Sequence, residues 1–455
     1  MTVTVNGPTA RDRLGIRVSV GYALGSLVTG TFSTVPGLLL LPYLTDTLGV
    51  AAALAGILVF APKAWVIVLN PLVGRITDRT HTRIGPRRPY VLVAGLGVAI
   101  AFAAMFAGPA GGAVGAGWVA VGYLVTASVF AFFQVPYAAM PAEITSDYAE
   151  RTRLMSWRVA GIAVAVLVSG AVAPIVVRAA GSGLPGHRAM GLVVGVLIAV
   201  GALSAFAGTR RAPLGVPPVS ESSLRRQLGV VRGNRPFRLL LVIVLVQSAA
   251  TGALLAGVTY FSHQVLNGSV ATATLFAAFT LPAVLLLPVL AGRGAGADKR
   301  IGVLVSSGVF VVASLVLLGV PAAGAIAVLA LVAGLGAANA AQDTFVLAML
   351  ADSIADDTAR TGRRQAGVFA GLFSGGQGLG FALGPLLFGL VLQLAGYLPS
   401  TTGVAAEQSS QTTAGVLVGF AILPAALTAL SLFAVRRYHR DPSLKLGSRP
   451  ALPPY

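Results

Sequence analysis

The sequence predicts an all-α membrane protein with twelve transmembrane helices. Three observations carry that expectation: only 10% of the 455 residues are charged, apolar residues come in long blocks, and basic residues keep to alternate connections between the blocks. Soluble domains hold about 25% charged residues. A chain this poor in charge and 56% apolar cannot hide its apolar surface from water in one folded core, and it is far too hydrophobic to be disordered. With no cysteine, a disulfide scaffold, a thiolate metal site and cysteine nucleophilic chemistry are all excluded.

A bilayer crossing takes roughly 20 mostly apolar residues. Twelve such stretches occur, near 16–44, 50–74, 90–108, 115–139, 157–177, 189–208, 237–261, 271–291, 301–319, 322–349, 366–394 and 412–434. The polar start, Met1 to Arg17, leads straight into a span too long for a signal-peptide core, so the first helix is expected to be retained. A formal charge of +18 would suggest nucleic acid in a soluble protein. Here 29 of the 32 Lys and Arg residues fall in the N-terminus, the even-to-odd connections and the C-terminal tail. By the positive-inside rule both termini are cytoplasmic, and the charge meets lipid head groups, leaving no nucleic-acid partner implied. The expected location is the inner or plasma membrane. No metal-ligand spacing is found among His81, His187, His263 and His439, and no phosphate-cradling loop occurs. No cofactor is expected, the chain is read as a monomer, and an enzyme is not expected.

The spans fall into two sets of six. A polar stretch containing several prolines, 209–236, separates an N-terminal bundle (1–208) from a C-terminal bundle (237–435), and a tail (436–455) follows. The halves echo one another. "DYAERT" (Asp147 to Thr152) follows span four and "DDTART" (Asp356 to Thr361) follows span ten, while Gly74-Arg75 after span two is matched by Gly292-Arg293 after span eight. Paired repeats around a midplane site are the architecture of alternating-access carriers. Glycine-rich runs such as "GLFSGGQGLGFALG" (Gly371 to Gly384) suit close helix packing in lipid.

After span two the chain reads "GRITDRTHTRIGPRRPY" (Gly74 to Tyr90), with Asp78 among five arginines. An acid at a helix end can pair with arginines of a neighbouring helix and latch one face. This loop resembles the cytoplasmic signature of the major facilitator superfamily. "QVPYAAMPAEITSDYAERTRLMSWR" (Gln134 to Arg158), "GNRPF" (Gly233 to Phe237) and "LADSIADDTARTGRRQAGVFAGLFSGGQGLG" (Leu350 to Gly380) are similar to the glycoside-pentoside-hexuronide:cation symporters, the melibiose-permease branch of that superfamily. The resemblance covers nearly the whole chain. It implies a major facilitator fold of two pseudo-symmetric six-helix bundles.

Carried over residue by residue, the resemblance also implies a loss. Acidic residues of that family's helices one, two and four bind the coupling cation and the sugar; here those positions are Gly30, Val66 and Asn70, and Gln134. The lysine implied after the glutamine of span eleven is absent too, since Gln377 is followed by Gly378, whereas Lys63 matches a basic family position on span two. Amides offer oxygen ligands but no charge. A sodium site at the family's usual place is therefore not expected, while amides remain suited to sugar hydroxyls.

The reading is a secondary transporter of a small glycoside- or sugar-type solute. The candidate substrate-binding residues are Gly30, Ser33, Lys63, Asn70, Gln134, Tyr137, Gln247 and Gln377. Asp343, an acid within span ten, is the candidate proton-coupling site, because ionisable groups inside the membrane are costly to bury. Asp78, Arg79, Arg87, Arg88, Arg151 and Arg363 are the candidate cytoplasmic gate. The alternative is an exporter or facilitator of an apolar metabolite, drug or lipid-like compound, which an amide-lined cavity of low charge also fits. Trp65, Tyr137 and Trp157 suit either helix packing or stacking on a flat solute.

Overall fold

The computed structural model describes residues 14–80, 82–109, 111–145, 147–212, 233–293, 298–319, 324–361, 365–401 and 406–438, and among them every regular element is helical. We number the long helices α1 (Ile16–Leu40), α2 (Ala52–Asp78), α3 (Arg88–Phe106), α4 (Gly112–Ile144), α5 (Tyr148–Ala179) and α6 (Gly183–Thr209). They are followed by α7 (Arg235–Val265), α8 (Thr272–Arg293), α9 (Lys299–Val316), α10 (Ala325–Thr361), α11 (Ala366–Leu394) and α12 (Ser410–Arg437). Eleven of these are long and apolar enough to cross a bilayer, and a shorter apolar helix, Thr272–Leu286 within α8, stands where the eighth span is expected. Most of the segment 209–236, and the gate candidate Arg363, lie outside the described residues.

Helix ends follow local chemistry. The side chain of Asp147 caps α5 by accepting from the Glu150 N–H at 2.9 Å, and Asn234 caps α7 by accepting from the Phe237 N–H at 3.0 Å. At Pro36 the missing N–H and fixed ring interrupt the α-helical ladder of α1, and a wider π turn, Pro36–Leu40, follows. A second π turn, Tyr43–Thr47, carries Asp46 beyond the end of that helix.

The chain divides into two compact units. Unit 1 holds residues 1–36 and 65–220; unit 2 holds 37–64 and 221–455, so the division runs through α1 and α2. In unit 1, α3 packs on α4 and α6, and α1 on α5 and α6. In unit 2, α7 packs on α11 and α12, while α10 lies against α8 and α9. Glycine allows the closest of these approaches. A Cβ on Gly21 of α1 would stand 2.6 Å from the Gly208 Cα of α6, and one on Gly384 of α11 would collide with the Gly252 and Ala253 backbone of α7. The glycine run of α11 thus has two faces: Gly380 and Gly384 seat against α7, whereas Gly371, Gly375 and Gly378 look onto open space.

Candidate functional site

The gate candidates separate. Arg87, at the start of α3, is buried and forms the hub: its guanidinium reaches Asp78 at 3.5 Å and Glu143 at 3.6 Å, and also donates to the Ala139 carbonyl. Asp78 ends α2 and Glu143 lies in the last turn of α4, so three helix ends of unit 1 meet on one cation. Arg88 turns away, donating to the carbonyls of Arg210 (3.0 Å) and Ala212 (2.6 Å) after α6. Arg79 is exposed, and Arg151 donates to the Thr145 carbonyl at 3.2 Å. Neither joins the hub. The pairing of Glu143 with Arg87 depends on how α3 and α4 pack.

In unit 1 the candidate binding groups fall into two kinds. Gly30 is occupied by packing, since a Cβ there would stand 2.6 Å from the Ala165 Cβ of α5. Tyr137 is fully buried, stacked on Phe133 and tilted against Tyr22, with the Arg158 guanidinium over its ring at 5.4 Å. Its hydroxyl lies 3.1 Å from Ser26 Oγ. In this packing Gly30 seats α1 against α5, and Tyr137 joins α4 to α1. Gln134 accepts a hydrogen bond from the Thr29 hydroxyl at 2.6 Å, a partner the sequence reading missed. Ser33 is exposed and makes no hydrogen bond among the described residues. Asn70 differs again: its Oδ1 is buried and has no donor. Trp65 is half exposed and donates to Ser128 Oγ at 3.0 Å, and Trp157 is 38% exposed.

Unit 2 shows the same division. Both amide hydrogens of Gln247 are committed, to Ser307 Oγ and Ser431 Oγ at 3.1 Å each, so this buried side chain ties α7 to α9 and α12 through its nitrogen. Gln377 makes no hydrogen bond among the described residues and sits beside the open glycines Gly375 and Gly378. Asp343 ends a chain of polar contacts. Thr251 donates to Asn339 Oδ1 at 2.7 Å, and Asn339 Nδ2 donates to Asp343 Oδ2 at 3.3 Å. Asn339 stands one helical turn before Asp343, a spacing that makes it the detectable partner in sequence. Lys63 has neither a hydrogen bond nor an ion pair among the described residues; its Nζ lies 3.9 Å from where a Cβ on Gly37 would stand.

A further polar cluster of unit 2 draws its members from two connections and from α7. Asp46 accepts from the Tyr397 hydroxyl at 2.9 Å and from Thr45 Oγ1 at 2.8 Å, and Thr45 Oγ1 lies 2.7 Å from the Tyr260 hydroxyl. The Ser400 N–H donates to the Thr45 carbonyl at 2.9 Å. The family-like motifs also meet in space. Asp357 of "DDTART" accepts from Asn234 of "GNRPF" at 3.5 Å, and Arg360 reaches the Gly233 carbonyl at 3.4 Å. Among the described residues no group of three or more acidic or histidine side chains is placed to hold a metal ion.

Comparison with known proteins bears on this arrangement. Residues 21–441 match the family described as MFS/sugar transport protein. The inner membrane symporter YicJ of Escherichia coli is 24% identical over 94% of this chain and 92% of its own. The glucuronide carrier protein homolog of the same organism is 23% identical over 94% of this chain and 93% of its own. Among solved structures, a bacterial homologue of the human lysosomal transporter Spinster shares the fold with a TM-score of 0.66, at 15% identity over 94% of this chain and 98% of that one. Helices that can span a bilayer, a family of transport proteins and relatives that are symporters lead to one conclusion: the chain belongs to the MFS/sugar transport protein family, as a multi-pass membrane secondary transporter and not an enzyme.

Proposed function

We propose that the protein carries a small sugar-type solute across the membrane by alternating access, with both chain termini on the cytoplasmic side and without a sodium ion at the family's usual place. One observation carries the reading: polar groups left unengaged inside apolar helices. Gln377 beside open glycines and the donorless Oδ1 of Asn70 are amide functions, which both donate to and accept from hydroxyl groups. Buried polar atoms are ordinarily paired. A polyhydroxylated solute bound at either amide would supply it with a missing partner. The family description and the glucuronide carrier relative support the same class.

Coupling to protons is assigned to Asp343, held by Asn339 and Thr251 on α10 and α7. The hub of Asp78, Arg87 and Glu143 would open and close in each cycle as part of the cytoplasmic gate. The test is solute flux in proteoliposomes. Uptake of a radiolabelled methyl glucoside or methyl glucuronide should rise several-fold under an inwardly directed proton gradient and stay level when sodium replaces potassium. Asp343→Asn should retain solute exchange and lose the response to the gradient. A sharp gain with sodium would overturn the reading of the coupling ion.

A further inference from the structure

Where α7 begins and α12 ends, two arginines of unit 2 meet at one cavity. It measures about 230 Å³ and is lined by Arg235, Pro236 and Leu239 of α7 and by Arg437 of α12, two helices that pack together. Arg235 and Arg437 are both exposed, and among the described residues no acid lines the space. The acid that reaches this corner, Asp357, is buried against Asn234 and paired with Arg360 at 3.1 Å. The carbonyl end of α12 attracts cations, but Arg300 already occupies it, donating to the carbonyls of Val435 at 3.2 Å and Arg436 at 2.6 Å. The lining therefore carries two positive charges and calls for an anion.

What lies inward of the arginines decides which anion. Leu239 and Val242 follow Arg235 by four and seven residues, and Phe433 and Leu430 precede Arg437 by the same intervals. At 100° per residue each trio shares one helix face, and Val242, Leu430 and Phe433 are 50–63% exposed. Each helix thus offers a guanidinium at its end and an apolar stripe reaching roughly 10 Å into the span. A free phosphate or a soluble acid would engage the arginines and leave the stripes unused. A phospholipid matches both parts, because its charged head is joined to acyl chains.

From this geometry we propose that unit 2 binds an anionic phospholipid, its phosphodiester on Arg235 and Arg437 and an acyl chain laid along α7 and α12. Guanidinium groups give phosphate oxygens charge-assisted, two-pronged donors, and basic pockets between spans suit anionic head groups. A zwitterionic lipid carries the same phosphate but also a cation that offsets it. The lipid belongs to the leaflet on the side of the chain termini, the cytoplasmic one in the reading above, and its binding does not depend on which solute is carried.

The test uses the purified full chain, with size-exclusion profiles confirming that each variant is folded. In native mass spectrometry, dioleoyl phosphatidylglycerol should bind about tenfold tighter than dioleoyl phosphatidylcholine, the scale set by two basic groups beside an anionic head. Arg235→Gln combined with Arg437→Gln should remove most of that preference, while Arg17→Gln, at an exposed arginine of α1, should leave it unchanged. Equal binding of the two lipids, or an equal loss in Arg17→Gln, overturns the site in favour of general surface charge. Excess inorganic phosphate should not displace the lipid, and dihexanoyl phosphatidylglycerol should bind severalfold more weakly than the dioleoyl form. Displacement by phosphate, or equal affinity at both chain lengths, overturns the lipid as occupant. A second measurement uses the absence of cysteine from the chain. In vesicles, bimane attached to a single Val242→Cys should be quenched severalfold more by phosphatidylglycerol with brominated chains than by brominated phosphatidylcholine at the same mole fraction. The two arginine substitutions should level the pair. Equal quenching before those substitutions, or a bias that survives them, overturns the placement along α7 and α12.

Discussion

The D-x-x-x-R-T motif occurs once in each unit and does two different jobs. In unit 1 the chain leaves α4 at Ile144, Thr145 is extended, and Asp147 begins a new helix as its cap. In unit 2 the equivalent Asp356 lies inside α10, which runs on to Thr361, and it is the next acid, Asp357, that is buried and bonded to Asn234 and Arg360. The residue immediately before each motif differs in kind: Ser146 precedes the first, whereas Ala355, which continues a helix readily, precedes the second. A shared run of letters here preserves charge at the end of a span, not a secondary-structure boundary. The ion pairs differ likewise. Arg87 and Glu143 are 7% and 3% exposed in their side chains, while Lys299 and Asp352, 2.7 Å apart, are 27% and 21% exposed.

That contrast predicts a graded series, read by thermal unfolding in detergent. Arg87→Ala should cost most, about 3–5 kcal/mol, because it strips a buried Glu143 carboxylate of its ion-pair partner; a loss below about 1 kcal/mol would place the hub among surface pairs. Asp357→Ala should follow at about 1–3 kcal/mol, since it leaves the amide of Asn234 short of an acceptor. In unit 1 the sensitive acid is instead the first of the motif. Asp147→Ala should cost about 1 kcal/mol through the lost cap, and Asp147→Asn, which still caps, should cost far less. Lys299→Ala should cost least, under about 1 kcal/mol, and less still in high salt. A reversed order of the last two would mean that the cap of α5 is unimportant.

The spans were legible because hydropathy and length report the solvent directly. Asp78 was legible as an acid at a helix end that pairs with arginine, but not which of the five nearby arginines it meets. What escaped was the identity of distant partners. Gln247 reads as a binding amide until Ser307 and Ser431 are found at its nitrogens, and Tyr137 reads as a stacking platform until Tyr22 and Phe133 are found on its faces. Spacing along one helix says which face a residue occupies; it does not say what another helix brings to that face. The same reason hid Tyr397 and Tyr260 beside Asp46, since the three residues are far apart in the chain.

The clasps that tie helices together, Gln247 with two serines, Thr29 with Gln134 and Tyr137 with Ser26, are built from neutral groups. Neither acid nor added electrolyte has a charge there to act upon, so loosening of the scaffold by either should begin instead at the charged helix ends, above all at the hub on Arg87. Any acidity profile seen in turnover would then be the signature of very few carboxyl groups, and single replacements of those would be enough to assign it.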